Sequence, residues 1–228
     1  MKSINTSGLQ MLFQDRFEAG RLLSPRLSQF ANRNDVIVLG LPRGGVPVAF
    51  EVARILKSPL DVFVVRKLGV PGEEELAMGA IASSGIRVVN RSVVDALGIT
   101  NDEIERVAME QQTELERRDR EYRNGRPMLE VRGRTAILVD DGLATGSSMR
   151  SAVAALRNRD PAQIVVAIPV AAPSVYEKLK SEADQVVCLA TPEHFVSVGQ
   201  WYLHFGQTSD EEVRELLGSA TNNAIARP

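Results

Sequence analysis

The sequence predicts an α/β protein: a parallel, twisted sheet of about five strands with helices on its flanks. Short apolar runs alternate with stretches of helical periodicity, the signature of strand–helix–strand units joined by right-handed crossovers. Three polar or glycine-rich loops, at 40–45, 66–75 and 140–148, fall at the expected carboxyl ends of strands. Ligand crevices form at that edge of a parallel sheet. With 228 residues, 44% hydrophobic and 25% charged, the chain is long enough for one well-buried domain. We expect that domain over 1–228, with its core at about 35–190, a small hood from 1–34 and 191–218, and a tail at 219–228.

In order along the chain, 12–31 carries a helical pattern interrupted at Gly20 and Pro25, with Asp15 and Arg16 as a solvated face or a salt bridge. Val36 to Leu41 is an apolar strand, followed by Pro42-Arg43-Gly44-Gly45 and a helix to about Leu56. Two glycines directly after a strand let the backbone approach an anion, and Arg43 adds a bidentate donor. Asp61 to Val65 is the next strand, with Arg66 and Lys67 at its carboxyl end, where two cations suit an anionic ligand. The stretch 69–75 is a breaker-rich loop, and Leu76–Ile81 with Ile86–Val89 forms a hairpin across Ser83-Ser84-Gly85. Arg91 to Leu97 is a short helix. The capping box Thr100-Asn101-Asp102-Glu103 opens a long polar helix to about Tyr122. Its thin apolar stripe predicts weak, peripheral packing.

Strand, helix and strand return at Ile164–Val170, Ser174–Glu182 and Val186–Ala190. The stretch 194–205 concentrates aromatics and both histidines; Phe195, Trp201 and Tyr202 there form either a platform for a nucleobase-like ring or a hydrophobic latch. Asp210–Leu217 is a last helix, and Thr221–Pro228 is expected to fray. A net charge of −2 gives no electrostatic reason for a nucleic-acid or membrane partner. No apolar run suits a signal peptide or a membrane span, so the cytoplasm is the expected location. The single cysteine, Cys188, excludes an internal disulfide and a thiolate-rich metal site, and reads as a buried small hydrophobe.

The chain is organised around residues 136–149. Ala136 to Val139 is a buried strand ending in Asp140 and Asp141, and a small-residue loop follows before a helix with Met149, Val153 and Leu156 on one face. The two acids can each accept a hydrogen bond from a vicinal diol. Gly142, Thr145, Gly146, Ser147 and Ser148 bend the backbone so that N–H groups and hydroxyls face one point at a helix start, as a phosphate dianion requires. A structural turn needs one acid; two held about 5 Å apart repel by roughly 3 kcal/mol at an effective dielectric of 20. A P-loop would need lysine at Ser147, and a Rossmann fingerprint places its glycines before the acid.

The stretch resembles the phosphoribosyl-diphosphate signature of type I phosphoribosyltransferases, closest to predicted members of unassigned acceptor that share its Asp-Asp-Gly-Leu-Ala-Thr-Gly loop. The resemblance spans roughly residues 35–190. It implies Mg²⁺-dependent transfer of ribose 5-phosphate from 5-phosphoribosyl 1-diphosphate to a nitrogenous base or similar small molecule. Arg43, Gly44 and Gly45 would then serve the diphosphate, joined by Arg66 and Lys67. Asp140 and Asp141 would act at the ribose and, indirectly, toward the metal. Gly142, Leu143, Ala144, Thr145, Gly146, Ser147 and Ser148 would hold the 5-phosphate.

The run 66–72 looks like the start of the mobile loop of adenine phosphoribosyltransferases, which continues to a carboxylate before a Tyr-Gly pair. Here the pair is Met78-Gly79, preceded by Ala77. Glu74, or its neighbours Glu73 and Glu75, either substitutes as acid–base or keeps the loop soluble. A sensor of the same ligand and a hydrolase are the alternatives. The oligomeric state is open, a homodimer being one candidate.

Overall fold

The computed structural model of the chain describes residues 12–225. In chain order, α1 (Arg16–Leu23) leads to β1 (Val36–Gly40), α2 (Gly45–Leu56) and β2 (Leu60–Val62). A ribbon of β3 (Val65–Val70), β4 (Glu73–Ala82) and β5 (Ile86–Val89) follows, then α3 (Arg91–Leu97) and α4 (Asn101–Arg123). The chain returns as β6 (Thr135–Val139), α5 (Ser147–Arg157), β7 (Gln163–Val170), α6 (Pro173–Leu179), β8 (Gln185–Ala190) and α7 (Asp210–Ile225).

Five strands form one parallel sheet in the order β2-β1-β6-β7-β8, as expected. Side chains alternate between two apolar layers: Val36, Val38, Ile137 and Val139 join one cluster, and Ile37, Leu39, Ala136 and Leu138 the other. Both faces are therefore buried, which is why these strands read as unbroken apolar runs. No described helix is long and apolar enough to cross a membrane. Cys188 is half-buried rather than fully buried; its Sγ faces the Ala190 carbonyl at 3.1 Å, and burial pushes the thiol up to about 11.

The structure corrects the reading of 61–75. The strand expected over Asp61–Val65 ends at Val62, because Val64 turns its backbone to a different partner: its N–H donates to Ser83 Oγ, and its carbonyl accepts from the Ser83 N–H. The expected loop 69–75 is a strand–turn–strand ribbon paired antiparallel, with β5 as its third strand. Leu68, Val70, Met78 and Ile81 supply its buried face. Arg66 and Lys67 consequently lie within β3, beyond the end of β2 rather than at the end of a parallel strand.

The long helix α4 is not weakly held. Its Ile104, Val107, Ala108, Leu115 and Tyr122 pack in the same cluster as the ribbon's apolar face. At its end Arg123 is buried, donating to Asp61 Oδ1 at 2.9 Å and to the Val62 carbonyl at 2.6 Å, and pairing with Asp119. Asp61 Oδ2 accepts the Leu129 N–H at 2.9 Å. Replacing Arg123 with Met leaves two carboxylates without their cation in a buried setting. A stability loss of about 3–5 kcal/mol is expected, read as a lower urea midpoint; an unchanged midpoint would show the network to be energetically idle.

At the amino end the helical pattern divides at Pro25 into α1 and a 3₁₀ segment, Ser24–Phe30, while Gly20 stays inside α1. At the carboxyl end α7 continues to Ile225, past the expected stop at Leu217. The rest of the expected tail, 226–228, lies outside the described residues, as do 1–11. The segments 12–14 and 201–204 pair with each other: Leu12 and Phe13 donate to the Trp201 carbonyl, and Leu203 and His204 donate back to Phe13 and Gln14.

Candidate functional site

From β1 the chain moves outward to β2, whereas from β6 it moves the opposite way to β7 and β8. The gap beyond the carboxyl ends of β1 and β6 is the point where strand order reverses, and there an open α/β sheet leaves a crevice. The loops after both strands meet in it. The Leu41 N–H donates to the Val139 carbonyl at 2.9 Å. A Cβ on Gly44 would lie 2.1 Å from Asp141 Oδ2, so only glycine lets this loop touch the acid pair. The Pro42–Arg43 peptide is cis. Among the described residues the Arg43 and Gly44 N–H groups have no carbonyl partner.

Asp140 and Asp141 each have one oxygen engaged. Asp140 Oδ1 accepts the Asp141 N–H at 2.9 Å, and Asp141 Oδ2 accepts from Arg16 Nε at 2.8 Å. Among the described residues, Asp140 Oδ2 and Asp141 Oδ1 have no hydrogen-bond partner, leaving one acceptor on each acid. Burial, reinforced by the charge of Asp141, holds the Asp140 carboxyl well above its ordinary value. Burial also raises Asp141, against the opposing charge and hydrogen bond of Arg16. The Tyr202 hydroxyl donates to the Asp141 main-chain carbonyl at 2.5 Å and fixes the turn from behind.

The loop that follows is pinned at its middle. The Leu143 N–H donates to the Val170 carbonyl, and the Leu143 carbonyl accepts from Ala172, so its buried side chain anchors the loop to the end of β7. Leu143 and the buried Gly142 can meet a ligand through backbone alone. Ala144, Thr145, Ser147 and Ser148 are exposed, and Gly146 caps α5 in the left-handed conformation, φ +71°. Among the described residues the N–H groups of Thr145, Gly146, Ser148 and Met149 have no partner. Open donors at the start of an eleven-residue helix make an anion cradle.

The other expected site residues are placed unevenly. Gly44 and Gly45 abut the acid pair, but the Arg43 guanidinium lies 3.9 Å from Asp210 at the start of α7. Arg66 donates twice to Gln111 Oε1, which ties the ribbon to α4. Glu74 is exposed beside the ribbon's turn. Trp201 and Tyr202 are 6% and 2% exposed and packed with Phe13, and thus form a latch onto the amino-terminal segment rather than an outward platform. Phe195 keeps part of its surface. The residue missed at this site is Arg16, whose partner is 125 positions away, a pairing no local spacing signals.

Among the described residues no group of three or more His, Cys, Asp or Glu converges as a metal cage. Mg²⁺ does not need one: one or two carboxylates, waters and substrate phosphates suffice, and the two open oxygens of the acid pair fit that donor set.

The sequence profile of the family described as "Phosphoribosyl transferase domain" matches residues 14–205. The "Putative phosphoribosyl transferase Rv0571c" of Mycobacterium tuberculosis is 48% identical over 209 residues, covering 92% of this chain and 47% of the relative. The chain thus spans about half the length of the curated relatives it matches. The crystal structure of TT1426 from Thermus thermophilus aligns with a TM-score of 0.84 at 43% identity, over 91% of this chain and 98% of that one.

Proposed function

The chain belongs to the phosphoribosyl transferase domain family, and from that premise we propose that it transfers ribose 5-phosphate from 5-phosphoribosyl 1-diphosphate to a nitrogenous acceptor, releasing diphosphate. The observation that carries the reading is the acid pair with one open oxygen on each carboxylate, set between the glycine loop and the open N–H groups of the α5 start. Asp140 and Asp141 accept the two ribose hydroxyls. Thr145, Ser147, Ser148 and the backbone around Gly146 hold the 5-phosphate, and the Arg43-Gly44-Gly45 backbone meets the diphosphate.

The C1–oxygen bond to diphosphate breaks as the C1–nitrogen bond forms, through a transition state resembling an oxocarbenium ion. The protein's part is alignment and charge stabilisation. Mg²⁺, when bound, supplies neutralisation of the diphosphate charge, with Asp140 and Asp141 the carboxylates that would hold it, directly or through its waters. The acceptor's proton passes to a base for which Glu74 is our candidate, reaching the site only if the ribbon closes.

The alanine at 77, in the slot where the adenine phosphoribosyltransferases carry a carboxylate, favours a second reading, a sensor that binds the donor without turning it over. One titration separates the readings. Donor and Mg²⁺ are added, and diphosphate release is followed with and without a panel of bases. Release that requires a base supports transfer, release without one indicates hydrolysis, and binding with no release indicates the sensor.

The loop also limits the acceptor. In the 6-oxopurine enzymes of the family a carboxylate stands immediately before the Thr-Gly of the signature loop and handles the base's N7 proton; here that position is the exposed Ala144. Alanine moves no proton, and a positioned acid–base group is worth about 10²–10⁴ in rate. Hypoxanthine and guanine are expected to be poor acceptors, and Ala144→Asp to improve them. Efficient wild-type turnover of either base, unchanged when Glu73, Glu74 and Glu75 all become Gln, would refute this.

A further inference from the structure

We propose that Arg16, which lies outside every loop of the family signature, is a donor-binding residue that grips the diphosphate at its junction with the ribose. The inference rests on the phosphoribosyl-transfer reading and adds to it a residue and a selectivity. Arg16 opens α1, and its side chain is only 11% exposed. Its Nε donates to Asp141 Oδ2 at 2.8 Å, and a Cβ on Gly44 would stand 3.2 Å from the same nitrogen. The guanidinium is therefore wedged between the acid pair and the glycine loop, where the proposed diol site ends and the diphosphate site begins.

The group is held ready. It lies 3.9 Å over the Phe205 ring, and Nη1 donates to the Gly206 carbonyl at 2.6 Å. Arginine has five N–H donors; with Nε and one Nη1 hydrogen engaged, the other three have no partner among the described residues. Those donors reach solvent rather than being sealed in the core, which leaves them open to an anion that arrives with the ligand. Two of the cations expected to meet the diphosphate are engaged elsewhere, Arg43 near Asp210 and Arg66 with Gln111. A residue needed solely to neutralise Asp141 would not require a planar fork stacked on an aromatic ring; bidentate anion recognition does.

The test is calorimetric titration of two probes, ribose 5-phosphate and inorganic diphosphate, both without Mg²⁺, into the whole chain. Arg16→Met should weaken diphosphate by about 10–100-fold, with a much smaller effect on ribose 5-phosphate. Arg16→Lys, which keeps the charge and loses the fork, should fall between and also shows that the fold survives. Asp141→Asn provides the reading that a structural role would not move: it turns the ion pair into a neutral hydrogen bond and leaves the guanidinium charge uncompensated, so metal-free diphosphate should bind tighter by roughly threefold or more while ribose 5-phosphate binds worse. Adding Arg16→Met to that variant should erase the gain.

Equal losses for both probes on Arg16→Met, or no effect of Arg16→Met on diphosphate in the Asp141→Asn background, would overturn the proposal and leave Arg16 a holder of Asp141. Tighter diphosphate binding by Arg16→Met would overturn it too, marking the residue as a plug. The underlying reading fails separately. Arg16-dependent diphosphate binding by a wild type indifferent to ribose 5-phosphate would retain the grip and reject the sugar site. A wild type that binds ribose 5-phosphate but not diphosphate would reject the grip alone.

Discussion

Gly146→Val is expected to lower ribose 5-phosphate affinity by at least about a hundredfold in a protein that still folds. Gly146 sits at φ +71°, which a β-branched residue adopts only under strain. Its new Cβ would also stand 2.4 Å from Val175 Cγ1, inside the core layer under the loop. The loop must therefore rise or re-coil, and the open N–H groups of Thr145, Gly146, Ser148 and Met149 lose their common point. Most of the apolar core lies elsewhere, under the sheet and the ribbon, so helical circular dichroism and a cooperative melt should survive at a lower midpoint. Titration of ribose 5-phosphate is the measurement. Binding within threefold of wild type, in a folded variant, would remove the cradle from the mechanism.

Asp140→Asn should weaken ribose 5-phosphate by about 10–100-fold, the range for losing a hydrogen bond to a charged acceptor. The change is nearly isosteric. The amide oxygen can still receive the Asp141 N–H, while the NH₂ group replaces the open oxygen and confronts a ribose hydroxyl with a second donor. Stability should move the other way. The Asp140 carboxyl is held well above its ordinary value by burial and by the Asp141 charge. Between the unfolded value, about 3.9, and that raised value, the folded chain binds protons the unfolded chain has released. Stability therefore falls as pH rises through this window, and Asn removes the fall. The variant should melt at or above the wild-type temperature at pH 7, with a flatter dependence above about pH 4. Unchanged affinity together with a lower melting point would make Asp140 a structural acid.

Neutralising Asp140 and straining Gly146 act on one segment, and that segment was legible in the sequence. Strand, acid pair, loop and helix start are contiguous between 135 and 157, so the information needed to read them sits within one window. The same holds for the glycine loop after β1, the capping box at Thr100 and Glu103, and the five parallel strands, whose double-sided burial leaves unbroken apolar runs.

The first part of the ribbon, 65–75, was misread because its polar residues and its Pro71-Gly72 turn share the composition of a loop, and antiparallel pairing depends on which partner the backbone finds. Val64 finds Ser83, 19 positions on. The aromatic stretch left two readings open until burial assigned Trp201 and Tyr202 to the seam with Phe13.

By itself, then, the sequence determined the parallel sheet with its connecting helices and the acid–glycine loop, since each is a matter of local periodicity or of adjacent residues. The tertiary structure alone decided that Arg16 faces Asp141, that Arg43 turns to Asp210, and that Arg123 closes on Asp61. A charged side chain on a helix reads the same whether it meets water or a carboxylate 125 residues away. Only the packing of α1 and the 201–206 segment over the sheet's open end brings those two charges together, out of water, where their attraction is strong.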